Sequence, residues 1–299
     1  MRKTLSPREL GLLSAIAEYR VLNISQLSFL LASSQQMIRR KVGELSKVAL
    51  IEVTRQPLGG SAGRPENVVY LRADGVQTLK EQGALDPSTP TDLFTKIDLR
   101  TLGHQLLTNW FRINLSIFSR FQSVLTVSSL SPARDGAWYV TANSGSDSVA
   151  NVIPDGIFAI SEANHGKSLL FFLEVDMGTE TLSSSNPQTK DIRKKTISYQ
   201  HMFTDNRYKE LEGPLGGTFN GFRILFLAPS RKRLDQLCHL VAAMPNTGFI
   251  WLTDSDSLFQ RGASATIWAK AGDSQAKRHS ILGPSLAFDC PLDPSESPS

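Results

Sequence analysis

Three helix-start signals between Ser6 and Ser34 limit what the N-terminal part of this chain can form. Ser6-Pro7-Arg8-Glu9 combines a capping box with a proline at the first helical position. Asn23 with Gln26 repeats the start signal, and Ser33 or Ser34 gives a third. Because each start follows soon after the one before, the sequence predicts three short helices and excludes one long one.

After the third helix the pattern changes from helical to alternating. Residues 51–55 (IEVTR) and 67–71 (NVVYL) read as two strands around a loop of Gly, Pro and Arg. Three short helices followed by a two-stranded hairpin is the element order of a winged helix-turn-helix. We therefore expect this fold over residues 1–82.

The third helix predicts how such a domain would contact duplex DNA. Ile38, Val42 and Leu45 recur on the side that faces the core. Polar and basic residues occupy the opposite side in its N-terminal half, namely Gln35, Gln36, Arg39, Arg40 and Lys41. A helix in the major groove reads base edges with residues of this kind, since Gln suits adenine and Arg suits guanine.

Two further arginines belong to the hairpin. Arg55 and Arg64 would contact neighbouring phosphates or the minor groove. The alternative for the whole domain is a winged helix that makes only protein contacts, with residues 39–41 forming a solvated face.

The distribution of charge favours the DNA-binding alternative. Residues 1–90 hold 12 basic and 8 acidic residues, whereas residues 91–299 hold 20 of each. The net charge of +4 therefore lies in the part of the chain that carries the predicted reading helix. Double-stranded DNA is the partner that this pattern predicts.

Composition excludes several other classes of protein. A hydrophobic fraction of 40% is too high for a disordered chain, and two cysteines are too few for a disulfide framework. The apolar runs are too short to span a membrane, and the N-terminus lacks the apolar stretch of a signal peptide. We expect a cytoplasmic protein without a membrane partner.

The rest of the chain reads as a linker, a second domain and a tail. Residues 83–97 are rich in Pro, Thr and Ser, and residues 289–299 resemble a disordered tail. Between them, residues 98–288 predict an α/β (α+β) domain with a mixed sheet. Its predicted helices are 98–121, 188–203 and 231–244, and its predicted strands are 125–130, 138–140, 152–160, 168–178, 222–228 and 248–254.

Acidic residues on two predicted strands of this domain form its candidate site. Glu174 and Asp176 stand two apart on one strand and so share a face, and Asp155 lies on the neighbouring strand. Three converging carboxylates repel one another unless a divalent cation or basic side chains neutralise them. Carboxylates that hold Mg²⁺, with a lysine near the phosphate, are what phosphodiester hydrolysis uses.

The order Pro154-Asp155, then Glu174-x-Asp176, resembles the core of the PD-(D/E)xK nuclease superfamily. Lys195-x-x-x-Tyr199 follows, where some members carry Gln-x-x-x-Tyr. The superfamily lysine normally stands two residues after the strand carboxylate, where this chain has Asp176. Lys195 or Lys194 on the helix would have to replace it.

The whole chain also resembles the replication-relaxation family of plasmids and other mobile elements, from about residue 5 to about residue 255. The features that carry this resemblance are YLRADG (70–75), Leu102 with His104, PDGIFAI (154–160), FLEVDMGTET (172–181) and the Lys195/Tyr199 pair. The resemblance implies a DNA-binding protein in replication, relaxation or conjugative transfer, with replication or conjugation proteins as partners.

Three functions stay open on the sequence. The first is a DNA-binding protein of a mobile element whose nuclease-like site is inactive or only conditionally active. The second is a Mg²⁺- or Mn²⁺-dependent endonuclease or nickase, with Asp155, Glu174 and Asp176 on the metal and Lys195 at the phosphate. The third is a transcriptional regulator that needs no metal. A homodimer on paired half-sites fits each of them.

Overall fold

A computed structural model describes residues 5–55, 66–130, 153–163, 166–186 and 191–292. The chain has a mixed α+β fold and divides into two compact units, Met1–Ile113 and Asn114–Ser299. No helix in the described ranges is long and apolar enough to cross a membrane.

The first unit contains three strands and six helices among its described residues, the last helix running past its boundary. In chain order these are α1 (Pro7–Tyr19), β1 (Val21–Asn23), α2 (Ile24–Leu30), α3 (Gln35–Lys47), β2 (Ile51–Arg55), β3 (Asn67–Leu71), α4 (Ala73–Glu81), α5 (Asp92–Thr95) and α6 (Leu102–Ser116).

The three predicted helix starts are confirmed. Complete capping boxes begin α1 at Ser6 and α2 at Asn23, and the Ser34 side chain accepts from the Met37 N–H at the start of α3. These caps satisfy backbone donors that a helix leaves without an internal partner, which fixes where each helix begins.

The small sheet of this unit has the order β1-β3-β2 with antiparallel pairing throughout. β2 and β3 form the predicted hairpin, with Ile51 opposite Leu71 and Arg55 opposite Asn67. The sequence did not predict β1, because three residues (VLN), all buried, show no alternation.

Two segments differ from the sequence expectations. The stretch predicted as a linker, 83–97, contains α5, where the Phe94 side chain is 1% exposed. α6 begins at Leu102, not at 98, because Asp98 pairs with Arg100 and accepts from its backbone N–H in a turn. The predicted single helix 98–121 is also interrupted at Ile117.

The second unit is built on a six-stranded mixed sheet. Its helices are α7 (Phe118–Phe121), α8 (Ile192–Thr204), α9 (Glu212–Leu215), α10 (Arg231–Ala242) and α11 (Ser255–Arg261), with a 3₁₀ turn at Arg207–Leu211. Its strands are β4 (Leu125–Leu130), β5 (Gly156–Glu162), β6 (Lys167–Val175), β7 (Phe222–Ala228), β8 (Ile250–Asp254) and β9 (Ala269–Lys270).

The strand order β4-β5-β6-β7-β8-β9 follows the chain. β4, β5 and β6 pair antiparallel, β6, β7 and β8 pair parallel, and β9 returns antiparallel to β8. β7 and β8 are buried on both faces, which is why they read as continuous apolar runs. The strand predicted at 138–140 lies outside the described residues.

The C-terminal segment predicted as a tail is packed at its start. Cys290 N–H donates to the Arg261 carbonyl and Leu292 N–H to the Phe259 carbonyl, each at 2.8 Å. Both side chains are buried. Two apolar side chains at alternate positions thus keep residues 289–292 in the fold, whereas residues 293–299 lie outside the described part.

Candidate functional site

The acidic cluster lies where β5 begins and β6 ends. Asp155 directly precedes β5, its N–H donates to the Leu173 carbonyl at 3.0 Å, and its Oδ2 accepts from the Val175 N–H at 2.7 Å. Antiparallel pairing of Gly156 with Leu173 brings Asp155 beside Glu174. The two acids predicted from PD and ExD are therefore neighbours.

Glu174 is almost fully buried and both of its carboxylate oxygens accept hydrogen bonds. Lys195 Nζ donates to Oε2 at 2.9 Å, and the Tyr199 hydroxyl donates to Oε1. Lys195 also contacts Glu180, whose Oε2 lies 3.2 Å from Nζ. The structure thus brings together four of the predicted site residues, Asp155, Glu174, Lys195 and Tyr199.

These contacts shift the acid–base properties of the cluster. Burial raises the pKa of Glu174 to about 7; the positive charge of Lys195 opposes this and the charge of Asp155 adds to it. Burial alone would lower the pKa of Lys195, but the carboxylates of Glu174 and Glu180 outweigh it and raise that pKa. Burial and the Glu174 charge raise the pKa of Tyr199, so its hydroxyl remains a donor.

Helix α8 delivers the lysine and the tyrosine together. Asp191 caps it by accepting from the Lys194 N–H at 2.8 Å, and its second oxygen accepts from the Ser184 N–H at 2.8 Å. The helix therefore starts at Ile192, later than the predicted 188. Residues 195 and 199 are four apart, so both side chains project from the same face toward Glu174.

Asp176 makes a separate ion pair. It follows the last residue of β6, where strand alternation no longer dictates direction, and both oxygens accept from the Arg233 guanidinium. Its Oδ1 also accepts from the Gly178 N–H at 3.0 Å. Asp176 was expected beside Glu174; each acid instead has its own basic partner.

Sequence reasoning missed Arg233 and Glu180. Arg233 Nη2 donates to the Glu180 carbonyl at 2.6 Å, which links the Asp176 pair to the segment whose carboxylate contacts Lys195. A signal existed, since Arg231-Lys232-Arg233 occupies the first turn of α10. The helix dipole disfavours cations there, so three in a row indicate an acidic neighbour.

The carboxylates of the cluster do not suit the Mg²⁺ or Mn²⁺ ion that the sequence predicts. These ions need several carboxylate oxygens aimed at one point. Both oxygens of Glu174 and both of Asp176 already accept from cations or N–H groups, and one oxygen of Asp155 accepts from a backbone N–H. No set of three or more His, Cys, Asp or Glu side chains among the described residues could hold a metal. In this arrangement the three acids do not fit the ion.

The predicted DNA-contacting residues lie on α3 and at the end of β2. Gln36, Arg39, Arg40 and Arg55 are exposed and Gln35 is half-buried. Arg40 lies 3.8 Å from Glu44. Arg64 lies outside the described residues.

Lys41 differs from its neighbours. Its ammonium lies 2.7 Å from Glu44 and 3.7 Å from the nearly buried Glu9 of α1. Two carboxylates therefore hold this lysine against its own unit, on the side of α3 toward the core.

The first unit therefore presents an exposed Gln/Arg face, and the second carries a buried carboxylate–lysine–tyrosine cluster on a mixed sheet. The sequence matches the replication-relaxation family over residues 13–214, which is more than half of the chain. The protein belongs to that family. The matched range includes Asp155, Glu174, Lys195 and Tyr199 and ends before Arg233. No curated protein matches the chain.

Proposed function

We propose that this protein binds duplex DNA in the replication, relaxation or transfer of a plasmid or other mobile element. Its first unit acts as a winged helix-turn-helix. Its second unit is a nuclease-like domain of the PD-(D/E)xK type, in which the acidic cluster stabilises the fold and does not hydrolyse DNA.

The observation that carries the DNA-binding proposal is the topology of the first unit. The order α1-β1-α2-α3-β2-β3 with sheet order β1-β3-β2 is the one that we expect of a winged helix, in which α3 would be the reading helix and β2–β3 the wing. Ile38, Val42 and Leu45 bury one side of α3, so its other side is left to solvent.

Family membership supports the context of the proposal. Replication and relaxation both act on DNA, and the net positive charge of the chain lies in residues 1–90. Lys and Arg side chains gain affinity for duplex DNA by releasing the counterions that surround its phosphates.

The topology of the second unit supports a nuclease-like fold. Three antiparallel strands, β4, β5 and β6, are followed by helix α8 and by β7, which is parallel to β6. The acids lie at the start of β5 and at the end of β6, as the superfamily resemblance implies. The ion pairs with Lys195 and Arg233 favour a structural role, because they neutralise charges that a metal would otherwise bind.

Duplex binding by the full chain tests the first part of the proposal. We expect Arg39→Ala/Arg40→Ala to weaken binding to a labelled duplex, measured by fluorescence anisotropy. The matched control is Lys96→Ala/Arg100→Ala, which removes two cations of the same unit whose side chains are 76% and 90% exposed. Equal affinities of both double variants and the wild type would contradict the assignment of α3.

Incubation with supercoiled plasmid and Mg²⁺ or Mn²⁺ tests the second part. The proposal predicts no nicking by the wild type. The alternative, a metal-dependent nickase, is favoured by the proximity of Asp155, Glu174 and Lys195. Nicking by the wild type that is lost in both Asp155→Asn and Glu174→Gln would establish that alternative, and these near-isosteric changes limit damage to the fold.

A further inference from the structure

We infer that Arg39 is the residue of α3 that reads a guanine, and that Gln35 positions it and reads no base itself. The inference rests on the proposed function, since it assigns roles within the proposed reading helix. The geometry that points to it is a chain of hydrogen bonds that ends on the Arg39 guanidinium.

This chain of hydrogen bonds has three acceptors, of which two are neutral and the last is a carboxylate. Arg39 Nη2 donates to Gln35 Oε1 at 2.7 Å, Gln35 Nε2 donates to Ser25 Oγ at 3.2 Å, and Ser25 Oγ donates to Glu66 Oε1 at 2.6 Å. Every donor points the same way, from a cation to a carboxylate. Hydrogen bonds arranged head to tail polarise and strengthen one another.

These hydrogen bonds connect three elements of the proposed DNA-binding unit. Arg39 and Gln35 lie on α3, Ser25 lies on α2, and Glu66 directly precedes β3 at the loop end of the hairpin. The Arg39 side chain is thereby held relative to its helix, to the preceding helix and to the hairpin. A guanidinium held in this way loses little rotamer freedom when it binds.

The other cations of the same half of α3 have acidic neighbours. Arg40 lies near Glu44, and Lys41 is shared between Glu44 and Glu9. Arg39 makes no salt bridge within the described residues, because its partner Gln35 is an uncharged amide. Among the described residues no carboxylate pairs with the Arg39 charge, so this charge is available to an acceptor outside the protein.

Guanine is the base that this side chain fits. A guanidinium has five N–H donors and the Gln35 bond uses one, which leaves a pair for guanine O6 and N7 in the major groove. Gln35 Oε1 already accepts from Arg39 and Gln35 Nε2 already donates to Ser25, and these two bonds fix the amide within the unit, so we assign it a positioning role and no adenine contact.

Selection from a randomised duplex library by the full chain tests the assignment, with the preferred base at each position as readout. We expect the wild type to select a guanine that Arg39→Ala and Arg39→Lys no longer select. The wild type should bind the selected duplex about 5- to 150-fold more tightly than a duplex in which that guanine is replaced, and Arg39→Ala should lose this difference. Gln35→Ala and Glu66→Gln should weaken the same preference at the same position and leave the others unchanged.

Arg40→Ala serves as the matched control on the same helix. It should weaken all duplexes equally and keep the selected guanine, as a backbone contact does. The inference is overturned if Arg39→Ala keeps the wild-type guanine, or if Gln35→Ala changes the preference at a different base pair. Absence of any duplex binding by the wild type would instead remove the proposed function itself, so the two failures are distinguishable.

Discussion

At the scale of single residues, the acidic cluster depends on one buried carboxyl group. Glu174 is 1% exposed and receives hydrogen bonds from Lys195 and Tyr199 on both oxygens. A buried carboxylate is stable only when its charge is neutralised and its lone pairs are used. The cluster therefore contributes to the stability of the second unit in a way that depends on pH.

We predict that Glu174 makes stability fall as pH rises from about 5 to about 8. Its pKa is raised from 4.5 to about 7, so the folded state binds the proton more tightly. The stabilisation is complete below pH 4.5 and is lost as pH passes 7. We expect the difference in free energy of unfolding in urea between the wild type and Glu174→Gln to fall by about 3 kcal/mol between these pH values. An unchanged difference would contradict the raised pKa.

We also predict that Arg233 stabilises the fold through Asp176. Arg233→Met should lower the free energy of unfolding by about 3 kcal/mol, because it leaves the nearly buried Asp176 without its cation. Adding Asp176→Asn should restore most of the loss. Arg231→Met is the control, since its side chain is 56% exposed and its pair with Asp235 contributes at most about 0.5 kcal/mol. Equal effects of the two single variants would refute the prediction.

Residue types and spacing could predict only part of this site. Asp155, Glu174, Lys195 and Tyr199 could be found because their motifs lie in one order along the chain. For Arg233 the sequence offers only the run of three cations that opens α10, and Glu180 has no such signal, because the contacts of both depend on how α10 and the segment after β6 approach each other. The partner of Asp176 was missed for the same reason.

At the scale of elements, helix starts were the most predictable feature. Ser6, Asn23 and Ser34 each place a side-chain acceptor beside free backbone N–H groups, and this is a local property of the sequence. β1 and α5 are short and depend on burial against the rest of their unit, so no local pattern indicated them.

The glycine of the YLRADG motif has a packing role that gives a prediction for α4. A Cβ on Gly75 would lie 2.1 Å from the Leu50 carbonyl oxygen, which the Arg72 N–H holds at 3.0 Å. Gly75→Ala should therefore lower the free energy of unfolding of the first unit by about 2–3 kcal/mol.

Gly11→Ala in α1 is the control for this change. Apart from its chain neighbours and the backbone of its own helix, no atom lies within 4 Å of a Cβ placed on Gly11, so alanine should stabilise that helix slightly. The melting temperatures of Gly75→Ala, Gly11→Ala and the wild type measure the two effects. A Gly75→Ala protein that melts like the wild type would contradict the close approach of α4 to Leu50.

At the scale of the whole molecule, the net positive charge lies in one part of the chain. Residues 1–90 carry the excess of cations, and the remaining 209 residues carry 20 acidic and 20 basic side chains. We predict that Asp155→Asn/Glu174→Gln binds duplex DNA with wild-type affinity in EDTA, because binding belongs to the first unit. A large loss of affinity in that variant would assign DNA contact to the acidic cluster instead.

The salt dependence of duplex binding by the full chain, measured in EDTA, tests the central claim most directly. If Arg40 contacts a phosphate and Arg39 contacts a base edge, Arg39→Ala/Arg40→Ala should bind with a slope of log affinity against log salt that is shallower by about 1. The Lys96→Ala/Arg100→Ala control should keep the wild-type slope. Identical slopes for all three proteins, or wild-type binding that requires Mg²⁺, would contradict a metal-independent reading helix in the first unit.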